Sequence, residues 1–558
     1  MKTVDLLVQG ANILNVFARR FEPNQLWIDH GRIVATGDQP LTAKKTYDAE
    51  QQYVVPGFID SHVHVESSLV VPSELAKVIL PKGTTTIFTD PHEIANVVGI
   101  PGVQYMINDA RQTPLSVNVM LPSSVPATPF ENNGATLDAD SLRPLYDEPE
   151  VKGLAEVMDY PAVLNREPGI MQKINDALSL GYQVDGHGAG FTRTMLDTYR
   201  QVGINTDHES VDMQQIKDRL AEGFNIFLRE GTVERDLLNT IPVVNEGNAH
   251  QFSFCTDDKF VNTILEEGGI DHCIRLAIQS GIRPETAYTM ASYNAAIAHR
   301  ITNLGSLATN AVADLIVIGD PYKVDIQRVM KDGKFITEAD LQTKPLKFSA
   351  NTMHHHVNKT DLVLPLKGEH PICNVIGIQN NHIETDHLIQ EVPVADGHFI
   401  ADLDHDVLKM VVVERHHDLG TVGVGLVHGF NLKAGAVATT IAHDSHNLVV
   451  VGTNDDAIYR AIQEVTEVGG GISVVDDQKP LATMPLSVAG LMSSQDWKSA
   501  SAGLTAVTKA YHQISEPIDF NPFITLSFLT LTVIPTIKLT DQGLYDFANQ
   551  KFIHVQSN

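Results

Sequence analysis

Six side chains in this chain have the types and spacing of a metal-assisted hydrolytic site. His62 and His64 lie one residue apart in "GFIDSHVHVESS", after an apolar run. On a strand, residues i and i+2 face the same side, so both imidazoles point together. Burying the two side by side requires a partner. A divalent cation is one such partner; hydrogen-bonded structural histidines are the other reading of an isolated HxH. Further along stand Glu156 in "GLAEVMDYP", His187 in "VDGHG", His208 in "TDHES" and Asp257 in "FCTDDK". Each closes a short β-type run. Four imidazoles and two carboxylates converging on one rim can hold two divalent cations, with Glu156 as the natural bridge. Lys152, four residues before Glu156 on the same strand face, offers a carboxylated lysine as an alternative bridge. Cations so held lower the pKa of water, and Asp257 is the candidate to take up and pass on its proton.

Other groups flank this set. Asp90, His92 and Glu93 in "TDPHE" are candidates to orient the ligands, to touch substrate or to hold a further ion; a polar loop facing water is the plain alternative. Arg229 and Glu230 in "LREGT" are candidates to grip a polar heterocycle, or else a surface ion pair. No phosphate-binding or dinucleotide glycine fingerprint occurs in a credible context, and there is no GxSxG elbow. "EVGGGISVV" reads as a tight turn between a helix and a strand.

The elements that must position these residues are eight short apolar runs. They are 57–65, 84–90, 116–121, 152–158, 181–187, 203–208, 224–229 and 251–257, with helical stretches at 73–81, 168–180, 192–202, 211–221 and 259–280. Such alternation predicts a (β/α)₈ barrel, whose sites lie at the C-terminal strand ends. The expected organisation is α/β: a small flanking β-sandwich from 1–56 and 305–340, a barrel over 57–304, and an α+β region over 350–558. The stretch 338–360, with its run His354, His355 and His356, reads as an exposed linker. A helix is expected to start at an Asn454 cap in "NDDAIYRAIQEV".

The 558 residues exceed one core. The net charge of −28 argues against nucleic acid or an anionic membrane as partner. Three cysteines make no disulfide framework, and the N-terminus reads as a strand rather than a signal peptide, so a cytoplasmic location is expected. No run reaches the length of a membrane span.

The assembled residues resemble the amidohydrolase superfamily and, within it, the bacterial adenine deaminases. The similar stretches include "PGFIDSHVHVESSLVVPSE", "GTTTIFTDPHEIANVVG", "ERHHDLGTVGVGLVHGF" and "HDSHNLVVVGTND". The resemblance implies hydrolysis of adenine to hypoxanthine and ammonia with a pair of divalent ions, manganese or iron; the donor set itself also accepts zinc. It implies His62, His64, Glu156, His187, His208 and Asp257 as ligands, with Asp257 shuttling a proton. A homodimer is the default assembly. "HDSHN", His443 to Asn447, approaches the active site or a subunit interface, or is only a strand entry. The chain departs from the family pattern at "GAGFT" after His187, at "ASYNAAIAH" and at "SLATNAVADL". Rival readings are a deaminase or cyclic amidohydrolase acting on another purine or cyclic amide, and a non-catalytic barrel.

Overall fold

The computed structural model describes residues 2–557. Its centre is a barrel of eight parallel strands: β1 (Phe58–Val63), β2 (Thr84–Thr89), β3 (Ser116–Leu121), β4 (Val151–Val157), β5 (Gln183–Gly186), β6 (Thr206–Asp207), β7 (Asn225–Arg229) and β8 (Phe252–Cys255). β1 to β5 form one continuous ladder and β6 to β8 another. Every residue of β1 and β2 is buried, as expected of a parallel sheet covered on both faces.

Two seams join the ladders. Between β8 and β1 the backbone itself zips shut just beyond the last β8 residue. Asp257 donates its N–H to the His62 carbonyl at 3.0 Å, and His64 donates to the Asp257 carbonyl at 3.2 Å. Between β5 and β6 the Thr206 hydroxyl donates to Asp185 at 2.7 Å. Gly186 permits that approach, because a Cβ there would lie 2.6 Å from the Thr206 carbonyl oxygen.

Helices Pro72–Ile79, Pro168–Ser179, Arg193–Gln201 and Met213–Ala221 follow the periodicity of the sequence. Proline opens two of them, and the Asp212 carboxylate caps the last by accepting from Gln214 and Gln215. The single helix expected over 259–280 is instead two, Val261–Glu267 and Ile270–Gln279. Gly268 breaks it at φ +111°, and Asp271 accepts the Gly269 N–H at 2.8 Å, starting the second helix. "ASYNAAIAH" forms a π-turn, Met290–Asn294, whose Asn294 amide donates to the carbonyls of Ala249 and Phe252 at the start of β8.

The flanking sheet has eight strands and is drawn from both sides of the barrel. Leu315–Ile318 runs antiparallel to Tyr53–Pro56. The first strand, Thr3–Asn15, pairs with Thr42–Asp48 over its first part and with Tyr53–Pro56 over its second. The shift falls at Gly10, φ +64°, and folds the sheet over Val8, Leu26, Ile33, Val54 and Met330.

A second eight-stranded sheet runs from edge strand Thr385–Glu391 to edge strand Pro480–Pro485, with helix Asp455–Glu467 capped by Asn454 as expected. Gly469 and Gly470, both at positive φ, turn that helix into strand Gly471–Val475. One buried apolar cluster runs without interruption from Val63 and Ile79 of the barrel to Val437, Leu504 and Phe528, so the C-terminal region is packed on the barrel. The His354–His356 stretch is irregular, with His354 and His356 exposed as expected, yet it is tied down at each residue. The His354 N–H donates to the Arg415 carbonyl at 2.8 Å, His355 bonds Thr466 at 2.9 Å, and His356 pairs with Asp418. Among the described residues no helix is long and apolar enough to cross a membrane.

Candidate active site

The C-terminal ends of the barrel strands bring their polar residues together. His62 and His64, on one face of β1 and just beyond it, place their Nε2 atoms 3.1 Å apart. Asp257 Oδ1 lies 3.4 Å from the first and 3.2 Å from the second. Glu156, at the end of β4, is central. Its oxygens lie 3.1 Å from His208 Nε2, 3.6 Å from His64 and His92, and 3.8 Å from His62. His187 stands further out, with Nε2 3.7 Å from Glu209 and its ring 5.9 Å from that of His208. All six are buried.

The set fits divalent cations. His64 Nδ1 lies 3.1 Å from the Asp90 carbonyl oxygen, so it donates there and turns its Nε2 lone pair inward. Glu156 Oε2, His92 Nε2 and Asp90 Oδ1 are buried and make no well-aligned hydrogen bond within the protein. Burial works against charge on His64, but the carboxylates of Asp258, Asp257 and Glu156 outweigh it and hold its imidazole well above the usual range. A field that would retain a proton at that nitrogen equally favours a cation. Burial alone would raise Asp257 and Glu156; the surrounding histidines, and Arg229 beside Asp257, hold both far below the usual carboxylate range.

Asp257 adopts φ +53°, uncommon for a residue with a Cβ. Both its backbone groups are tied to β1, and Arg229 grips its carboxylate at 3.0 Å. The same guanidinium bonds Glu209 and, at 2.9 Å, Asp236. Arg229 lines the cavity, with its guanidinium engaged by three carboxylates of the chain itself. Glu230 lies outside the cavity, facing Arg235 at 3.3 Å. Lys152 bonds the Pro149 carbonyl at the opposite end of β4. Four strand residues span about 13 Å, so a shared face does not bring it to Glu156.

Asp90 orients both His64, through its carbonyl, and His92, whose Nδ1 lies 3.0 Å from its carboxylate. Glu93 turns away from the barrel ligands to His443, 3.2 Å from its Nδ1.

Three acidic lining residues, Glu209, Glu234 and Asp258, were not singled out in the sequence, while Asp444 belongs to the "HDSHN" motif. Glu209, Glu234, Asp258 and Asp444 line the cavity with the barrel histidines, under a roof of Ile383, Phe528 and Leu531. Asp444 stands 3.5 Å from His92 Nε2, so "HDSHN" reaches the site. Its loop is braced by Arg415, fully buried, which donates to the carbonyls of His446, Thr352 and Ala489. Glu209 and Asp258 had a signal: each directly follows a ligand candidate. Asp444 lay too far along the chain to be assigned.

Residues 53–336 match the family model described as amidohydrolase family, and residues 382–551 match that of the adenine deaminase C-terminal domain. An adenine deaminase of Lactiplantibacillus plantarum is 54% identical over 99% of this chain and 98% of its own length. One of Leuconostoc citreum is 48% identical over the full length of both chains, and one of Listeria welshimeri 48% over 99% of this chain and 96% of its own.

Proposed function

Because this chain belongs to the adenine deaminases of the amidohydrolase family, we propose that it hydrolyses adenine to hypoxanthine and ammonia at the cavity above the barrel. The observation that carries the site is the convergence of Glu156 and Asp257 on the histidines of β1 and of the β6 end, all buried at one rim.

His62, His64, Glu156, His187, His208 and Asp257 would hold two divalent cations per subunit, manganese first, with iron and zinc compatible with the same nitrogen and oxygen donors. When bound, such cations supply Lewis acidity, making water nucleophilic near neutral pH and offsetting negative charge as it develops. Asp257 is kept ionised and is aimed by Arg229. It takes a proton from the water that adds to C6 and delivers it to the amino nitrogen. The C6–N bond then breaks and ammonia departs; the second proton of the added water passes from the C6 hydroxyl to N1, so that the new C6 oxygen becomes the carbonyl of hypoxanthine. Asp90 and His92 hold the first ligands in orientation, and Ile383, Phe528 and Leu531 exclude water above the base. The reading includes a homodimer without nucleic-acid or membrane partners, and a cytoplasmic location in keeping with three free, buried cysteines.

The test is ammonia release from adenine by manganese-loaded protein, beside His64→Ala and Glu156→Gln variants. Turnover in the wild type and its loss in both variants is expected. A protein that binds about two metals yet leaves adenine untouched would overturn the substrate assignment and leave the site standing.

A further inference from the structure

Among the described residues, Glu234 is the one side chain with two buried polar atoms that both lack a protein partner. It is 3% exposed, and it lines the cavity with Asp257 and Asp258. Two unsatisfied carboxyl oxygens at one position are unfavourable for folding, so a ligand is the natural source of their partners. The loop that carries it, between β7 and β8, is held in place. Gly231 donates to the Glu234 carbonyl at 2.9 Å, and Glu230 bridges Arg235. Gly231 also leaves the space the carboxyl occupies: a Cβ there would lie 2.8 Å from Glu234 Oε2 and 2.8 Å from the Asp258 carbonyl oxygen.

Burial, with the carboxylates of Asp258 and Asp257 for neighbours, holds the Glu234 carboxyl well above its usual range. Arg229 opposes this, yet its guanidinium is engaged by Glu209, Asp236 and Asp257. A neutral carboxylic acid presents one donor and one acceptor side by side. Adenine offers the complementary pair on three edges. Two of them include the amino group that leaves. The third, N3 with N9–H, lies across the ring from C6 and is unchanged by the reaction.

We propose that Glu234 recognises the free base by a two-point hydrogen bond, donating to N3 and accepting from N9–H, and so excludes nucleosides and other N9-substituted purines. This rests on the adenine reading above. Glu234 is thus a specificity-determining residue: N9 substitution removes the hydrogen it accepts and places a bulky group against a buried carboxyl.

The experiment compares adenine with 9-methyladenine for the manganese-loaded wild type, Glu234→Ala, Glu234→Gln and Gly231→Ala, with metal content and thermal melting recorded for each. Glu234→Ala is expected to raise KM for adenine by roughly 10- to 100-fold and to narrow the preference for adenine over 9-methyladenine, with metal content unchanged. Its melting temperature is expected to rise, since an unsatisfied buried carboxyl is removed. Glu234→Gln keeps one donor and one acceptor on the same fork and is expected to rescue most of the KM loss. Gly231→Ala, which displaces the carboxyl, is expected to resemble Glu234→Ala in KM. An unchanged KM and an unchanged preference in Glu234→Ala would overturn the proposal, as would a Glu234→Gln variant as impaired as the alanine one. Absence of adenine turnover in the wild type would instead sink the parent reading.

Discussion

Asp257 and His64 meet twice, once through the backbone and once through their side chains. The His64 N–H donates to the Asp257 carbonyl at 3.2 Å, and its Nε2 lies 3.2 Å from Asp257 Oδ1. The seam that closes the barrel and the centre of the site are therefore the same few atoms. Strand closure sets the position of the carboxylate, and the left-handed backbone at Asp257 is the local strain that accompanies it.

Asp257→Asn separates these two roles. The backbone seam is independent of the side chain, so far-UV circular dichroism should match the wild type. Adenine turnover should fall by about 10²- to 10⁴-fold, the range for loss of a general acid–base group. Near-normal kcat in a variant with full metal content would remove Asp257 from proton transfer.

Arg229 is the one side chain that reaches all three buried carboxylates of Glu209, Asp236 and Asp257 among the described residues. Arg229→Met leaves buried Asp236 without its ion pair and removes the guanidinium from Glu209 and Asp257; it should cost about 3–5 kcal/mol, read as a lowered melting temperature. Because Asp257 also loses its grip, kcat should drop more than KM rises. A stable variant with wild-type kcat would contradict this positioning role.

Asp444 reaches the cavity from the C-terminal region and faces His92 Nε2 at 3.5 Å. Its replacement by alanine should lower kcat/KM by roughly 10-fold or more while two cations are still retained, since its contact is with His92 and not with the six candidate ligands. Loss of metal in Asp444→Ala would show that the roof supports the ligands themselves.

Removing divalent cations with a chelator should lower the melting temperature, and manganese should restore it. Cation binding to the folded state alone stabilises by about 2.7 kcal/mol at a hundredfold excess over Kd. His64→Ala should show little response to either treatment. Identical melting with and without manganese in the wild type would argue against a resident cation.

Lys538 is fully buried, its ammonium donating to the carbonyls of Ile383 and Phe528 at 2.6 and 3.0 Å, directly behind the roof. Burial pushes its pKa down to about 7. The folded state then binds fewer protons than the unfolded chain between about pH 7 and the ordinary lysine value near 10.4. Stability from this group rises with pH across that window, by a total of roughly 5 kcal/mol, and is lowest below it. Lys538→Met removes the dependence. Its stability relative to the wild type should be most favourable at pH 7 and decline toward pH 10, whatever the lost hydrogen bonds cost at each pH. A difference independent of pH would mean that Lys538 titrates normally in the fold.

The sequence alone determined whatever depends on local periodicity. The two-residue repeat of a strand places His62 and His64 on one face, and apolar runs spaced by amphipathic helices are enough to mark eight strands, seven of them with a polar residue at or near the end. The Asn454 cap and the Gly469–Gly470 turn were legible for the same reason, since neighbouring residues settle their backbone angles. Tertiary structure decided what depends on distance through space. Lys152 shares a face with Glu156 yet sits at the other end of its strand, and His187 stands back from the histidines it was grouped with. Arg229 found three carboxylates of the chain where a ligand was expected, because burial of a guanidinium demands partners that no spacing in the sequence reveals. Asp444 and Phe528 come to the cavity only because a continuous apolar cluster packs the C-terminal region onto the barrel. Hydrophobic burial is non-directional, so it leaves no local mark of which distant segment it brings to the site.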